Sequence, residues 1–253
     1  MDHIEPGAWW EHMELVNFTF PSYNFTLGGV WAPFLVKHEP EEPGSPNMKL
    51  HMDQLHELWV STMNHYDVVV FSGAYWLYRP SIYYMNNHNV TLVDPDDPAY
   101  PQTLTAMKLV WKNVFDHVLS SYNGTFVFRT LSISHFESSS WDHGGTCNKT
   151  QPNLMYVDRN NMVLEWQHNE VYRIQRDAFA KAVEENEKRG DGHLRFRLLD
   201  VTSNTLLRPD AHPGIYRIQK SSDMRYDCLH WCLPGPMDTW NQLLLADPQI
   251  MCS

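Results

Sequence analysis

Residues 67–73 read DVVVFSG, an unbroken apolar run from Val68 to Phe71 that stops at Ser72–Gly73. A strand with no polar alternation suits the centre of a parallel sheet, where crossover helices cover both faces. Working upstream, Met52, Leu55, Trp59 and Met63 recur at helical spacing. They predict a helix over about 47–65, capped by Ser45 or Asn47 after the acidic, Pro-rich loop His38–Pro46. Downstream, Leu104, Met107, Trp111, Val114, Phe115, Val118 and Tyr122 line one face of a helix over 101–122, with Pro101 suited to its first turn and Asn123–Gly124 ending it. TFVFRT (125–130) is the next strand, followed by a long Ser- and Gly-rich segment to Asn153. A third helix over 169–187 turns Val171, Ile174, Ala178 and Ala182 inward, and RFRLLDV (195–201) is a third strand. Alternating helices and strands predict an α/β fold with a mainly parallel sheet and helices on both faces, because parallel strands need crossovers. In such sheets the site lies beyond the strands' carboxyl ends, here 73–80, 131–141 and 202–213.

Composition narrows the functional classes. At 253 residues and 43% hydrophobic, the chain buries a full core and reads as a single domain over 1–253. A net charge of -11 argues against nucleic acid or an anionic membrane surface as a partner. Ten Trp and twelve Tyr supply flat rings of the kind that stack on sugars, although most of them serve the core. No window approaches the roughly 18 apolar residues of a membrane span, and the opening MDHIEPGAWW has no targeting character. Five N-x-S/T sequons, at Asn17, Asn24, Asn89, Asn123 and Asn148, nevertheless lean toward a secretory lumen and glycosylation. Cys147, Cys228, Cys232 and Cys252 allow three full pairings, and without a C-x-x-C pair they point to disulfides rather than a metal.

The segment 226–245, YDCLHWCLPGPMDTWNQLLL, places Asp227 three residues before His230. In a tight turn or first helical turn, positions i and i+3 share a face. The Asp227 carboxylate can then accept the imidazole N–H of His230 and fix its tautomer, leaving the other nitrogen to deprotonate a hydroxyl and later protonate a leaving group.

The surrounding residues carry more information than the spacing. DCLHWCLPGPMDTWN closely resembles the C-terminal signature of the plant trichome birefringence-like family, D-C-x-H-W-C-L-P-G-x-x-D-x-W-N. FRTLSISHFESSSWDHGGTCNKTQP (128–152) resembles that family's R-T-F-S-P-x-H-F-E-x-x-x-W-x-x-G-G-x-C pattern. SYNFTLGGVWAPFLVK from Ser22, DVVVFSGAYWLYRP and RPDAHPG (208–214) resemble three further family segments, in matching order. The resemblance implies an SGNH/GDS-L hydrolase-like α/β fold and a Ser-His-Asp triad to which Asp227 and His230 contribute. The family's serine lies in a Gly-Asp-Ser motif ahead of the position of Ser22. No such string occurs here, and the nearest, Gly190–Asp191–Gly192, has no hydroxyl. The resemblance thus implies an N-terminally incomplete domain that lacks the nucleophile and the first strand; Ser72, just after a strand, is the one fallback serine. Arg129 and His135 are candidates to contact acetyl donor or sugar, and Trp231 to stack on a sugar. His212 is a loop organiser or a substrate contact, and Gly73 a contributor to an oxyanion pocket.

The activity so implied is transfer of acetyl groups onto hydroxyls of a cell-wall polysaccharide, a hemicellulose such as xyloglucan or xylan, or a pectin. The Y-W-L-Y-R-P string leans toward xyloglucan. The acetyl donor, acetyl-CoA or another carrier, stays open, and no bound cofactor is expected. Family members imply the Golgi lumen or membrane, and a membrane anchor that this chain lacks. Two alternatives remain: a polysaccharide acetylesterase, which differs only in letting water in, and a catalytically inactive glycan-binding product.

Overall fold

A computed structural model describes residues 15–141, 143–156, 164–190, 192–217 and 226–251. The described chain forms two compact units, one from residues up to 66 together with 73–122, the other from 67–72 together with those from 123 onward.

In the first unit, β1 (Leu15–Phe20) and β2 (Phe25–Val30) pair as an antiparallel hairpin. β3 (Val36–Pro40) and β4 (Met48–Leu55) follow, then a short helix α1 (Glu57–Thr62). After β5 (Val68–Phe71), which belongs to the second unit, come β6 (Ser81–Met85), β7 (His88–Val90) and the long helix α2 (Gln102–Ser121). Strands β3-β4-β6-β7 make a mixed sheet in which only β4 and β6 run parallel. The turn between β6 and β7 is Asn86–Asn87, with both residues at positive φ (50° and 61°), the geometry a two-residue hairpin demands.

The helix expected over 47–65 is corrected here. Residues 48–55 are strand β4, and helix begins only at Glu57. Met48, Leu50 and Met52 also recur every second residue, and all three are buried in a strand paired on both sides. Where both periods fit, pairing with two neighbours outweighs intrinsic helix preference. Trp59 and Met63, four apart, are buried on the helical remnant, and Trp59 donates its indole N–H to the Leu35 carbonyl at 2.8 Å. Helix α2 buries every apolar position expected of it from Leu104 to Val118, and Tyr122 just beyond it.

The second unit holds the three strands expected from the sequence. β8 (Thr125–Arg129) lies between β5 and β9 (Arg195–Leu199), and all three are parallel. Helix α3 (Trp166–Arg189) connects β8 to β9, and α4 (Thr202–Leu206), α5 (Pro236–Ala246) and α6 (Pro248–Met251) follow. Strand alternation separates two faces. On one, Phe71, Phe126 and Phe196 form a row, and Phe179 from α3 stacks on Phe128 at 6.0 Å. On the other, Val127 and Leu199 pack with Trp240 and Leu244 of α5 and with Trp231. Helices therefore cover both faces of this sheet. Across the described residues the sheets are mixed rather than mainly parallel, because the first unit adds an antiparallel hairpin and a mixed sheet.

Replacing Phe128, which is fully buried, with Ala should cost about 3–5 kcal/mol, the cost of a vacated aromatic site. Urea denaturation checks this, and a loss below about 1 kcal/mol would mean that α3 does not rest on this face.

Candidate active site

The loops after β8 and β9 are set by a buried polar network. Thr130 donates its hydroxyl to Asp200 (3.0 Å) and accepts from the backbone N–H of Val201 (3.0 Å) and Thr202 (3.3 Å). Thr202 in turn donates to the Leu131 carbonyl at 2.6 Å, and Gln175 of α3 accepts from Leu131 N–H at 2.7 Å. Each strand end is thereby tied to the next, which fixes where residues 131–135 and 202–214 leave the sheet.

The Asp227 segment is held between these loops. Asp227 and Gly214 exchange backbone hydrogen bonds of 2.9 and 3.0 Å, Cys232 N–H donates to the Ala211 carbonyl (3.0 Å), and His135 N–H donates to the Cys228 carbonyl (3.0 Å). A disulfide joins Cys228 to Cys147, with Cα atoms 5.7 Å apart. Of the pairings open to Cys147, this one forms; Cys232 is an exposed free thiol, and Cys252 lies outside the described residues.

Within this frame His230 Nδ1 lies 3.0 Å from both carboxylate oxygens of Asp227. The carboxylate also accepts the backbone N–H groups of His230 (2.9 Å) and Leu229 (3.3 Å). A carboxylate only accepts, so Nδ1 carries the proton and Nε2 is the basic nitrogen. The Asp227 side chain is only 10% exposed, whereas that of His230 is 60% exposed. The carboxylate is thus an internal anchor, and the imidazole is presented outward.

Behind the pair, the His212 ring lies 4.1 Å from that of Trp231, and Trp231 meets Trp240 edge-on at 6.1 Å. Trp231 is buried. Asp238 accepts the Gly235 N–H at 2.6 Å and so caps α5, the helix that carries Trp240. Arg129 lies over the Trp240 ring at 4.8 Å and donates to the Ser72 hydroxyl; burial lowers its pKa to about 10.

Residues 3–247 match the PC-Esterase family, the GDSL/SGNH-like acyl-esterase family found in Pmr5 and Cas1p. The chain belongs to the PC-esterase family. It is 34% identical over 242 residues to protein trichome birefringence-like 25 of Arabidopsis thaliana, covering 89% of this chain and 52% of that protein. It is 35% identical over 237 residues to xyloglucan O-acetyltransferase 4 of Populus trichocarpa, covering 90% and 54%. To xyloglucan O-acetyltransferase 2 of Arabidopsis thaliana it is 31% identical over 245 residues, covering 90% and 55%. The chain thus spans about half the length of the curated relatives it matches.

Of the residues singled out from sequence, this PC-esterase chain brings Asp227, His230, His212, His135 and Trp231 together by contact, and Arg129 reaches them through Trp240. Gly73 falls in the first unit, where a Cβ would meet Leu35 at 3.4 Å and Trp111 at 3.7 Å. Outside the residues singled out from sequence, a serine–imidazole contact joins Ser134 Oγ to His168 Nε2 at 3.2 Å. The two lie 34 residues apart and share no motif, so nothing in the sequence links them. Among the described residues, no group of three or more His, Cys, Asp or Glu could hold a metal.

Burial, together with the facing His212, lowers the pKa of His135 from 6.5 to about 4. Between those values the unfolded chain binds the proton and the folded chain does not, so stability is full above pH 6.5 and declines as pH falls toward 4. His135 alone should account for about 3 kcal/mol of that decline. Urea midpoints measured from pH 7 to pH 4 should fall less steeply in His135→Gln than in the unaltered chain.

Proposed function

We propose that this chain carries the acid–base half of a Ser-His-Asp acetyltransferase site acting on xyloglucan hydroxyls. The observation that carries the reading is the oriented Asp227–His230 pair, with its basic nitrogen on an outward-presented ring. The names of the xyloglucan O-acetyltransferases at 31–35% identity support the acceptor class.

In this reading His230 Nε2 takes the proton of a serine hydroxyl as the oxygen attacks the acetyl carbonyl of the donor. The resulting imidazolium, held by Asp227, returns the proton to the departing donor group. In the second half, Nε2 deprotonates a sugar hydroxyl, which attacks the acetyl-serine ester and regenerates serine. The donor is acetyl-CoA or another acetyl carrier. Gly-Asp-Ser does not occur in the 253 residues, so turnover calls for a serine hydroxyl beyond them. Ser72 is a poor substitute, because its oxygen is held by Arg129, a donor, rather than by a base. The compartment proposed is the Golgi lumen, which all five sequon asparagines support by being exposed.

The first unit contributes a surface suited to a neutral glycan. Trp31 and Trp76 are 46% and 39% exposed and meet edge to face at 5.6 Å, with Arg79 against the Trp76 ring. Exposed paired indoles of this kind offer a stacking face to a sugar ring.

Two measurements test the proposal. Joining to this chain an upstream segment with the Gly-Asp-Ser motif that the family resemblance implies should yield acetylated xyloglucan oligosaccharide, detected by mass spectrometry. His230→Ala in that fusion should lower the rate about a thousandfold or more. Free acetate without acetylated sugar would mark an esterase instead. Robust transfer by the unextended chain would overturn the reading and direct attention to Ser134. Separately, Trp31→Ala should weaken binding of xyloglucan oligosaccharide to the unextended chain by about fivefold to tenfold, equivalent to about 1 kcal/mol of lost stacking, as read by affinity electrophoresis.

A further inference from the structure

His212 and His135 are chemically versatile side chains placed beside the proposed base, yet their hydrogen bonds run to the peptide that carries it. His212 Nδ1 lies 2.7 Å from the carbonyl oxygen of His230, and His212 Nε2 lies 2.8 Å from His135 Nδ1. A carbonyl only accepts, so His212 Nδ1 must carry a proton. Burial lowers the pKa of both rings, so at neutral pH each holds one proton. His212 Nε2 is then an acceptor, and His135 Nδ1 must donate to it. The His230 carbonyl fixes the direction of the His212 bond, and the contact between the two rings is made when the one ring proton of His135 sits on Nδ1. Trp231 covers one side of the His212 ring at an angle of 30° and a centroid distance of 4.1 Å, which restricts its rotation.

We infer that His212, aligned by His135, is a positioning residue that holds the His230 backbone so that the imidazole keeps its aim. An exposed ring is no better oriented than the peptide beneath it, and a displacement of about 1 Å at a catalytic group can cost on the order of a hundredfold in rate. The dyad peptide is gripped at alternate residues. The Cys228 carbonyl takes the His135 N–H, the His230 carbonyl takes the His212 side chain, and Cys232 N–H reaches Ala211. Of these three grips, the one on residue 230 is made by a side chain, that of His212.

The inference rests on His230 being the base of the proposed acetyl transfer, but its test needs no turnover. Imidazole nitrogen NMR of the 15N-labelled 253-residue chain at neutral pH reports which ring nitrogen bears the proton. His135, His212 and His230 should all show the Nδ1–H form, against the Nε2–H form that a free imidazole prefers. In His212→Ala the His230 signals should lose that single-tautomer pattern while circular dichroism stays native. His212→Asn, whose amide N–H can donate to the same carbonyl, should restore it. An Nε2–H form at His212 in the unaltered chain, or an unchanged His230 pattern in folded His212→Ala, would overturn the inference. Should His212→Ala fail to fold, the tautomer of unaltered His212 and the His212→Asn spectrum still decide. If the tautomers are as stated but the serine-extended fusion shows no transfer, acetyl transfer fails and the positioning geometry stands.

Discussion

The Asp227 carboxylate is nearly buried, and a buried carboxylate is tolerated only if its oxygens are met by donors. Two of those donors are the backbone N–H groups of Leu229 and His230, and a third is the His230 ring. Satisfying all three forces the chain to curl from 227 to 230. The i, i+3 spacing is therefore the structural solution to desolvating one carboxylate, and the same curl aims the imidazole. Everything nearby serves to keep that turn from opening: the Gly214 bridge on one side, the Cys147 disulfide on another, and the His212 bond at the far end. Removing the carboxylate would strand those N–H groups without an acceptor, so its role in shape cannot be separated from its role in charge.

The turn also has to stand at the correct place on the sheet, and polar groups rather than apolar packing determine this. Thr130, Thr202 and Gln175 are buried, and their bonds leave little freedom to the first residues beyond β8 and β9. Apolar contacts give cohesion but little directional preference. A satisfied buried network gives both, because any alternative arrangement leaves a group unpaired in low dielectric. Loops that would otherwise wander deliver His135 and His212 to within 2.8 Å of each other.

This division explains what was legible in the sequence. The parallel strands β5, β8 and β9 and the helices α2 and α3 were readable because continuous apolar runs and 3.6-residue periodicity each fit one structure. Strand β4 was not, because Met48, Leu50 and Met52 satisfy one period while Met52, Leu55, Trp59 and Met63 satisfy the other; only neighbouring strands resolve the tie. The β6–β7 hairpin left a readable trace in Asn86–Asn87, residues that tolerate positive φ. Asp227 and His230 were legible because they are local. The contacts of His212 with His135, 77 residues away, and of Ser134 with His168, 34 residues away, are products of tertiary folding and leave no spacing to read. Much of the dense motif from 227 to 241 proves to be scaffold, since Asp238 caps a helix and Trp240 fills the core.

The proposed triad would draw its base and its nucleophile from different stretches of chain. The groups that fix the dyad, His135, Cys147, His212 and Gly214 among them, all lie in the second unit and close on one another. In the proposed site a hydroxyl arriving at Nε2 would meet a base whose tautomer depends on Asp227 and on the His212 bond to its peptide. In the proposed reaction the base would thus be held by contacts within the second unit that need no nucleophile to form them.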